Sequence, residues 1–417
     1  MTPAIFSAIF LVTLLLTVVL RQWLLARHLR HIAAHRAAVP SDFANSITLA
    51  EHQKAADYVT AKGQLSRGEI FLDAAVLLAF TLGGLLQYFA DQVTAILGPG
   101  YWHGIALFGL VGVTGFLVAL PCDLFRTFRI EARFGFNKIT PALWLQDLFK
   151  GVAVAIIIGV PLLLTVFWLM DVMGEPWWIY VWMVWLGFNL LALFLYPTVI
   201  APLFNKFTPL QDQALKTRIE ALLTRCGFST SGLFVMDGSR RSSHGNAYFS
   251  GFGRAKRIVF FDTLLERLAP PEIDAVLAHE LGHFHHKHIV KRIVFMAVAS
   301  LALLYLLAQL MNQSWFFVGL GASPVGAGST PLALLLFSMV IPVFMFLLSP
   351  VGAVISRRHE FQADTYAASH ASANELISAL VKLYRDNAST LTPDPLHSLF
   401  YDSHPPAATR IAHLRSL

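Results

Sequence analysis

The sequence predicts a mainly α-helical integral membrane protein, with seven spanning helices forming one part and a smaller α+β part facing water. Three observations predict it. Of 417 residues, 56% are hydrophobic and 13% charged, about half the charge content of a soluble domain. Uncharged stretches of the roughly 20 residues a spanning helix needs recur along the chain. All 31 Lys and Arg fall in four segments, residues 21–69, 123–150, 206–292 and 357–417. Disorder, coiled coil and collagen are excluded by composition. Two cysteines, Cys122 and Cys226, support neither a disulfide framework nor a multi-cysteine metal site and read as free thiols.

In chain order, Met1–Leu20 has no charged side chain before Arg21; it lacks the basic start and the cleavage site of a signal peptide and reads as the first span. Ala74–Ala90, Gly104–Pro121, Gly151–Met170 and Trp177–Tyr196 are the next four. Residues 293–356 contain no Asp, Glu, Lys or Arg. That stretch is too long for one span, and its middle, Asn312–Thr330, is rich in Gly, Ser, Asn and Gln, so it reads as two spans joined by a loop. Seven spans place the four basic segments on one side of the membrane, and the positive-inside rule makes that side cytosolic. The N-terminus is then outside and the C-terminus inside. The net charge of +6 is a consequence of topology rather than a nucleic-acid footprint. The tryptophans Trp177, Trp178, Trp182 and Trp185 read as an interfacial aromatic belt continuing along span five. The expected organisation is a five-span region over residues 1–197, a first catalytic piece over 198–292, the hairpin of spans six and seven over 293–356, and a second catalytic piece over 357–417.

Within the water-facing pieces, residues 201–227 read as a loop and a helix. LFVMD, NAYFSGF and RIVFFD, between residues 232 and 262, read as strands, and Pro270–His288 as a helix. That helix carries HELGH at 279–283. Histidines four apart lie on one helix face, so His279 and His283 can reach one metal ion, with Glu280 beside them in the H-E-x-x-H arrangement of a metalloprotease. A catalytic zinc has three protein ligands and an open position. RRHEFQADTYA follows span seven and returns beside the histidines through the hairpin. Glu360 is the expected third ligand, with His359 as its rival one residue off in direction. Asp364, four residues on, is expected to orient a ligating histidine through its other N–H. Glu280 is the expected general base. His404 in YDSHPP is the candidate donor to a tetrahedral oxyanion. The cluster His285, His286 and His288 reads as facing water or lipid headgroups. Arg410 reads either as a partner for a substrate carboxylate or as paired to a neighbouring acid.

At this point the residues match a family. The chain resembles the M48 integral-membrane zinc metalloproteases of the Ste24 or CAAX prenyl protease 1 group, over nearly its whole length. Gln53-Lys54-Ala55 with Asp57-Tyr58, then FRIEARFGFNKIT at 128–140 with Asp147 and Lys150, then Tyr196-Pro197 through IAPLFNKFTPL, Asn246-Ala247-Tyr248-Phe249, HELGH, EFQAD and SHPP occur in the family's order. The resemblance implies a seven-helix barrel around a large chamber, capped on the cytosolic side by the α+β catalytic domain. It implies one zinc per chain on His279, His283 and Glu360, catalysis by Glu280 and His404, and substrate pairing at Asn246 and Ala247 by β-addition. It implies a protein or peptide substrate, prenylated or not, membrane lipid as surroundings, and no nucleic-acid partner. The activities it implies are removal of the last three residues from prenylated CAAX proteins and quality control of membrane proteins. Ala/Leu-rich spans without extended loops favour a bacterial cell membrane, with the endoplasmic reticulum as the eukaryotic counterpart. The oligomeric state is not legible.

The competing reading is a transporter or lipid-binding protein with a structural zinc. A structural site is closed by four protein ligands, usually cysteines, and neither Cys122 nor Cys226 lies near HELGH. A seven-span receptor has no use for the strands and HELGH helix between spans five and six.

Overall fold

The structure, a computed structural model, describes residues 1–250, 257–323 and 329–417. Among these, six helices are long and apolar enough to cross a membrane: Pro3–His35, Tyr101–Glu131, Pro141–Val172, Trp177–Phe204, His288–Leu310 and Ser329–His370. Leu49–Phe80 and Leu85–Leu97 make a seventh if taken as one span bent by 48°. The chain is a multi-pass membrane protein.

The bend corrects the expectation of a continuous span over 74–90. The break falls at Gly83-Gly84. Gly84 has φ +73°, a left-handed conformation that glycine adopts without steric cost. At Gly83 a Cβ would sit 2.8 Å from the Ala79 carbonyl oxygen. On the other side of the break the helix runs back to Leu49, where Thr48 and Glu51 form a reciprocal capping box, so much of the expected loop 21–69 is helical. The expected loop at 312–330 carries a helical turn, Ser314–Val318, whose Phe316 and Phe317 are buried beside Phe6. Residues 324–328 of that loop, and Gly251-Phe252 at the end of NAYFSGF, lie outside the described residues.

Packing in the spans is uneven. Buried residues of Pro141–Val172 are Phe167, Leu169 and Met170; of Trp177–Leu195, Trp177 and Val181; of Tyr101–Phe125, His103, Gly104 and Leu107. All lie at the end of the helix away from HELGH, and Leu107, Leu169, Met170, Trp177 and Val181 join one core cluster with Phe10, Leu86, Leu307, Phe316 and Leu336. The helices converge there and are sparsely covered elsewhere. At the other end the third and fifth spanning helices continue as π-helical turns, Arg126–Glu131 and Tyr196–Ile200, a wide winding that is frequent at functional sites.

The water-facing part is a four-stranded sheet in the order β1-β2-β4-β3, with β1 Phe207–Pro209, β2 Gly232–Met236, β3 Ala247–Ser250 and β4 Arg257–Phe261. β1 was not legible: three residues ending in proline carry no periodic signal. β2 and β4 are parallel, while β3 runs antiparallel to β4 and has no second neighbour among the described residues. Helices Gln213–Arg225, Pro270–His285, Ser349–His370 and Ala373–Asp386 pack around the sheet. Their core joins Ile219, Leu222, Phe260 and Leu281 to Tyr366, Ala367, Leu380 and Leu414. Chain from both sides of the last membrane hairpin therefore shares one core.

Candidate active site

The helix Pro270–His285 starts with two prolines, which suit the first turn because its N–H groups have no intrahelical partner. Glu272 folds back to accept the Ala269 N–H at 2.7 Å. The helix Ser349–His370 crosses it in close contact. A Cβ at Gly282 would lie 2.9 Å from the Ala363 Cα and 3.0 Å from the Tyr366 Cβ. The glycine inside HELGH is thus what lets EFQAD approach.

That approach brings His279, His283 and Glu360 together, one ligand atom from each, all within 4.8 Å of one another. The Nε2 atoms of the two histidines are 3.3 Å apart. The Glu360 oxygens lie 3.4 Å from each of them. Glu360 is 4% exposed, yet its Oε2 makes no hydrogen bond among the described residues. Arg410 Nη1 lies 3.7 Å from it, beyond hydrogen-bond reach, and a buried carboxylate oxygen without a donor is costly unless a cation meets it closely.

His279 Nδ1 is 2.9 Å from Asp364 Oδ1, which leaves Nε2 directed at Glu360. Arg410 holds Asp364 in turn, through Nε at 2.8 Å and Nη2 at 2.5 Å. All three are buried. Burial alone would lower the His279 pKa, but Asp364 at 2.9 Å and Glu360 at 3.4 Å raise it to about 9: two carboxylates draw positive charge to this point. The donor set therefore fits a divalent metal, and its nitrogen and oxygen ligands suit zinc. Arg410 is paired to the neighbouring acid, which resolves its two readings. His359 stays out of the cluster and stacks on His288 at 3.9 Å.

The histidine run is not uniformly turned to solvent. His288 is 4% exposed. Its Nδ1 is 3.0 Å from His283 Nδ1 and its Nε2 is 2.8 Å from Gln362 Oε1. His288 and Gln362 thus do for His283 what Asp364 and Arg410 do for His279. Neither was singled out as part of the site by sequence reasoning.

Glu280 is half-buried and has no hydrogen-bond or ion-pair partner among the described residues. His404 is exposed, with Nε2 3.5 Å from Glu360 Oε1, so it stands at the open side of the cluster. Asn246 accepts the Phe261 N–H at 3.0 Å. Ladder bonds alternate along a strand, so the amide and carbonyl of Ala247 face the free edge of β3. The Ala247 N–H is covered by the Asn246 side chain at 2.9 Å. A cavity of about 810 Å³ reaches His283, Phe284, Tyr248 and Phe249 at one end and Trp185, Leu193 and Met296 of the two adjoining spans at the other.

Residues 28–206 match the family described as CAAX prenyl protease N-terminal, five membrane helices, and residues 209–417 match peptidase family M48. The chain is 34% identical to CAAX prenyl protease 1 of Saccharomyces cerevisiae, over 87% of this chain and 85% of that one. It is 39% identical to the CAAX prenyl protease 1 homolog of Oryza sativa subsp. japonica, over 75% and 73%. A crystal structure of S. mikatae Ste24p superimposes with a TM-score of 0.92 at 31% identity, covering 98% of this chain and 99% of that one.

Proposed function

The chain belongs to peptidase family M48 as a multi-pass zinc metallopeptidase of the Ste24 type, and on that premise we propose that His279, His283 and Glu360 hold the zinc while Glu280 is the catalytic base. The observation that carries this reading is the 3.4 Å approach of Glu360 to both histidines across a whole membrane hairpin. When bound, the zinc supplies Lewis-acid polarisation of the scissile carbonyl and the attacking water. Glu280 takes the proton of that water and passes it to the leaving amine. His404 donates to the oxygen on which negative charge develops. Asp364 keeps the His279 Nδ1 proton in place, so that Nε2 is free to ligate. Ala247 and Asn246 offer the edge of β3 to an extended peptide. The catalytic module is residues 198–292 with 357–417.

The substrate class we propose is a peptide with a hydrophobic attachment, as in a prenylated CAAX C-terminus, or a hydrophobic membrane-protein segment. The cavity between the two spans supports it: its walls are mostly apolar and it ends at His283. The Lys and Arg partition supports a cytosolic module, and the Ala/Leu-rich spans without extended loops support a bacterial cell membrane.

The test is cleavage of a fluorogenic CAAX peptide, with and without the prenyl group, by the purified protein in detergent. Glu280→Gln is expected to lower kcat by about 10²–10⁴-fold, the usual worth of a positioned base, with zinc still bound at one per chain. A chelator is expected to abolish cleavage, and zinc to restore it. An undiminished rate in Glu280→Gln would sink the assignment. Equal rates on both peptides would remove the prenyl group from the substrate definition.

A further inference from the structure

Among the described residues β3 is paired on one side only, so its direction depends on the stretch that leads into it, residues 238–246. That stretch is held largely by the membrane part of the chain. The Lys138 N–H donates to the Arg241 carbonyl at 3.0 Å, and the Ser243 N–H to the Phe136 carbonyl at 3.1 Å. Together they make a short antiparallel bridge centred on Asn137 and Ser242. The Arg241 guanidinium forks onto both oxygens of Asp147, at 2.8 and 2.9 Å, and reaches Asn205 Oδ1 at 3.1 Å. Asp147 lies on the helix Pro141–Val172. Three residues later the His244 ring stacks on Phe136 at 4.4 Å, with Glu131 at 3.7 Å. Glu131 is itself fixed by the Tyr58 hydroxyl, which donates to it at 2.6 Å. Asn387, from the peptidase side, accepts the Gly245 N–H at 3.2 Å. β3 begins two residues further on.

A forked arginine–carboxylate pair sets direction as well as distance. A strand that receives a peptide by edge addition gains affinity from being fixed in advance. We infer that this seam positions the substrate edge: Asp147–Arg241, together with Glu131 and Phe136 against His244, sets β3 at the angle from which an extended peptide lies across His279 and His283. The membrane loop 128–140 is then a positioning element for peptide binding, acting through Arg241 and His244 without touching the reacting atoms. This rests on β3 being the substrate strand.

The test measures KM and kcat separately, on a fluorogenic unprenylated peptide that the wild-type protein cleaves. Arg241→Ala and Asp147→Asn are expected to raise KM about tenfold with kcat within about twofold, the pattern of lost binding common to ground and transition states. Zinc should remain at one per chain, and a small hydroxamate that reaches only the metal should bind as before. The exchange Asp147→Arg with Arg241→Asp should recover part of the KM. If Arg241→Ala fails to fold, Arg241→Lys, which keeps charge and loses the fork, and Glu131→Gln serve in its place. An unchanged KM, or a fall in kcat at constant KM, would overturn the inference. Ala247→Pro separates the two layers of the argument. It removes the outward N–H of β3 at a position where an edge strand tolerates proline. If it leaves KM unchanged, β3 is not the substrate strand and the inference goes with it. If it raises KM while the seam variants do not, the substrate strand stands and the positioning role alone is lost.

Discussion

The membrane walls and the peptidase part of this chain are built to opposite rules. Along the most apolar windows of Tyr101–Glu131 and Trp177–Phe204 only 6% of residues are buried, and along Pro141–Val172 only 11%. In the helix Pro270–His285, 9 of 16 residues are buried, three of them charged or ligating side chains: Glu272, Asp274 and His279. Ordinary helix bundles bury a stripe along each helix. Helices that bury only one end leave both lipid-facing and inward-facing sides uncovered, which is how walls around a space are made. The peptidase part needs four side chains from two helices fixed to a fraction of an ångström, and it obtains that by density and by buried charge pairs. The walls are thus expected to absorb change that the peptidase part cannot.

The sharpest break of that contrast is Asp364→Asn. It removes the carboxylate charge onto which the buried Arg410 forks, leaving Arg410 only Glu360 Oε2 at 3.7 Å, and it leaves a single acceptor oxygen where Arg410 and His279 Nδ1 now share two. Losing a partner of this kind costs about 10–100-fold in metal affinity. Breaking a buried charge pair costs about 3–5 kcal/mol of stability. Competition for zinc against a chromophoric chelator, together with thermal unfolding, reads both. Arg36 and Asp57 pair in the open, 42% and 48% exposed, and Arg36→Gln is expected to leave zinc affinity unchanged. Equal losses in the two variants would mean that the buried network does not support the metal.

How much of this was legible depends on range along the chain. HELGH and EFQAD carry their meaning in spacings of three and four residues, so the proposed ligand set, which the structure brings together, and the place of Asp364 beside His279 could be read from them. The hairpin that joins them was legible because charge-free sequence has few folded forms in a membrane. His288 was missed because it is five residues from His283, a spacing that points elsewhere on a continuous helix. The helix is not continuous. Lys287 adopts φ +57°, a left-handed turn between the motif helix and the sixth span, and it brings His288 back under His283. No propensity rule announces a lysine there. The seam was half legible: FRIEARFGFNKIT at 128–140 and Asp147 stood out as family-like, but the contacts of Asn137 with Ser242 and of Glu131 with His244 join stretches about a hundred residues apart. The break at Gly83-Gly84 was signalled by the glycine pair, and hydropathy averaged across it.

One substitution made in both regions gives a cleaner comparison. Alanine is favoured over glycine within a helix by about 1 kcal/mol. At Gly112, in the third spanning helix, a Cβ meets nothing within 4 Å, so Gly112→Ala should be neutral or slightly stabilising. At Gly282 the same methyl would press on the Ala363 backbone at 2.9 Å, which cannot yield as a side chain would. Overpacking typically costs about 1–3 kcal/mol, and here it would also push Glu360 away from the histidines. Gly282→Ala is expected to lower both the melting temperature and zinc occupancy. Parallel melting curves of the two variants, with zinc content per chain, decide the matter. Tolerance at both sites would show that the helix crossing is not what sets the ligand geometry.

The smallest expected effect tests whether density in the peptidase part is also a source of acid sensitivity. Glu272 is 3% exposed. It accepts from Ser378 Oγ at 2.6 Å and Lys382 Nζ at 2.7 Å as well as from its own cap. Burial would raise its pKa, but the donors Lys382, Ser378 and Ala269 outweigh it, and the carboxyl lies below its usual value of 4.5. A carboxyl with a depressed folded pKa stabilises fully above the unfolded value and loses that contribution as pH falls through the folded one. Stability of the wild-type protein should therefore decline below about pH 4.5 as this group takes up its proton. Glu272→Gln removes the charge assistance to Lys382 and is expected to cost about 1–2 kcal/mol at pH 7, in the range of a hydrogen bond to a charged group. The variant should also show a shallower decline with acid, because one proton-linked contribution is gone. Thermal unfolding of both proteins from pH 7 to pH 3.5 gives the two slopes. Parallel slopes would place the acid-sensitive carboxylates elsewhere, at Asp364 or in the half-exposed pairs where the membrane helices meet the peptidase part.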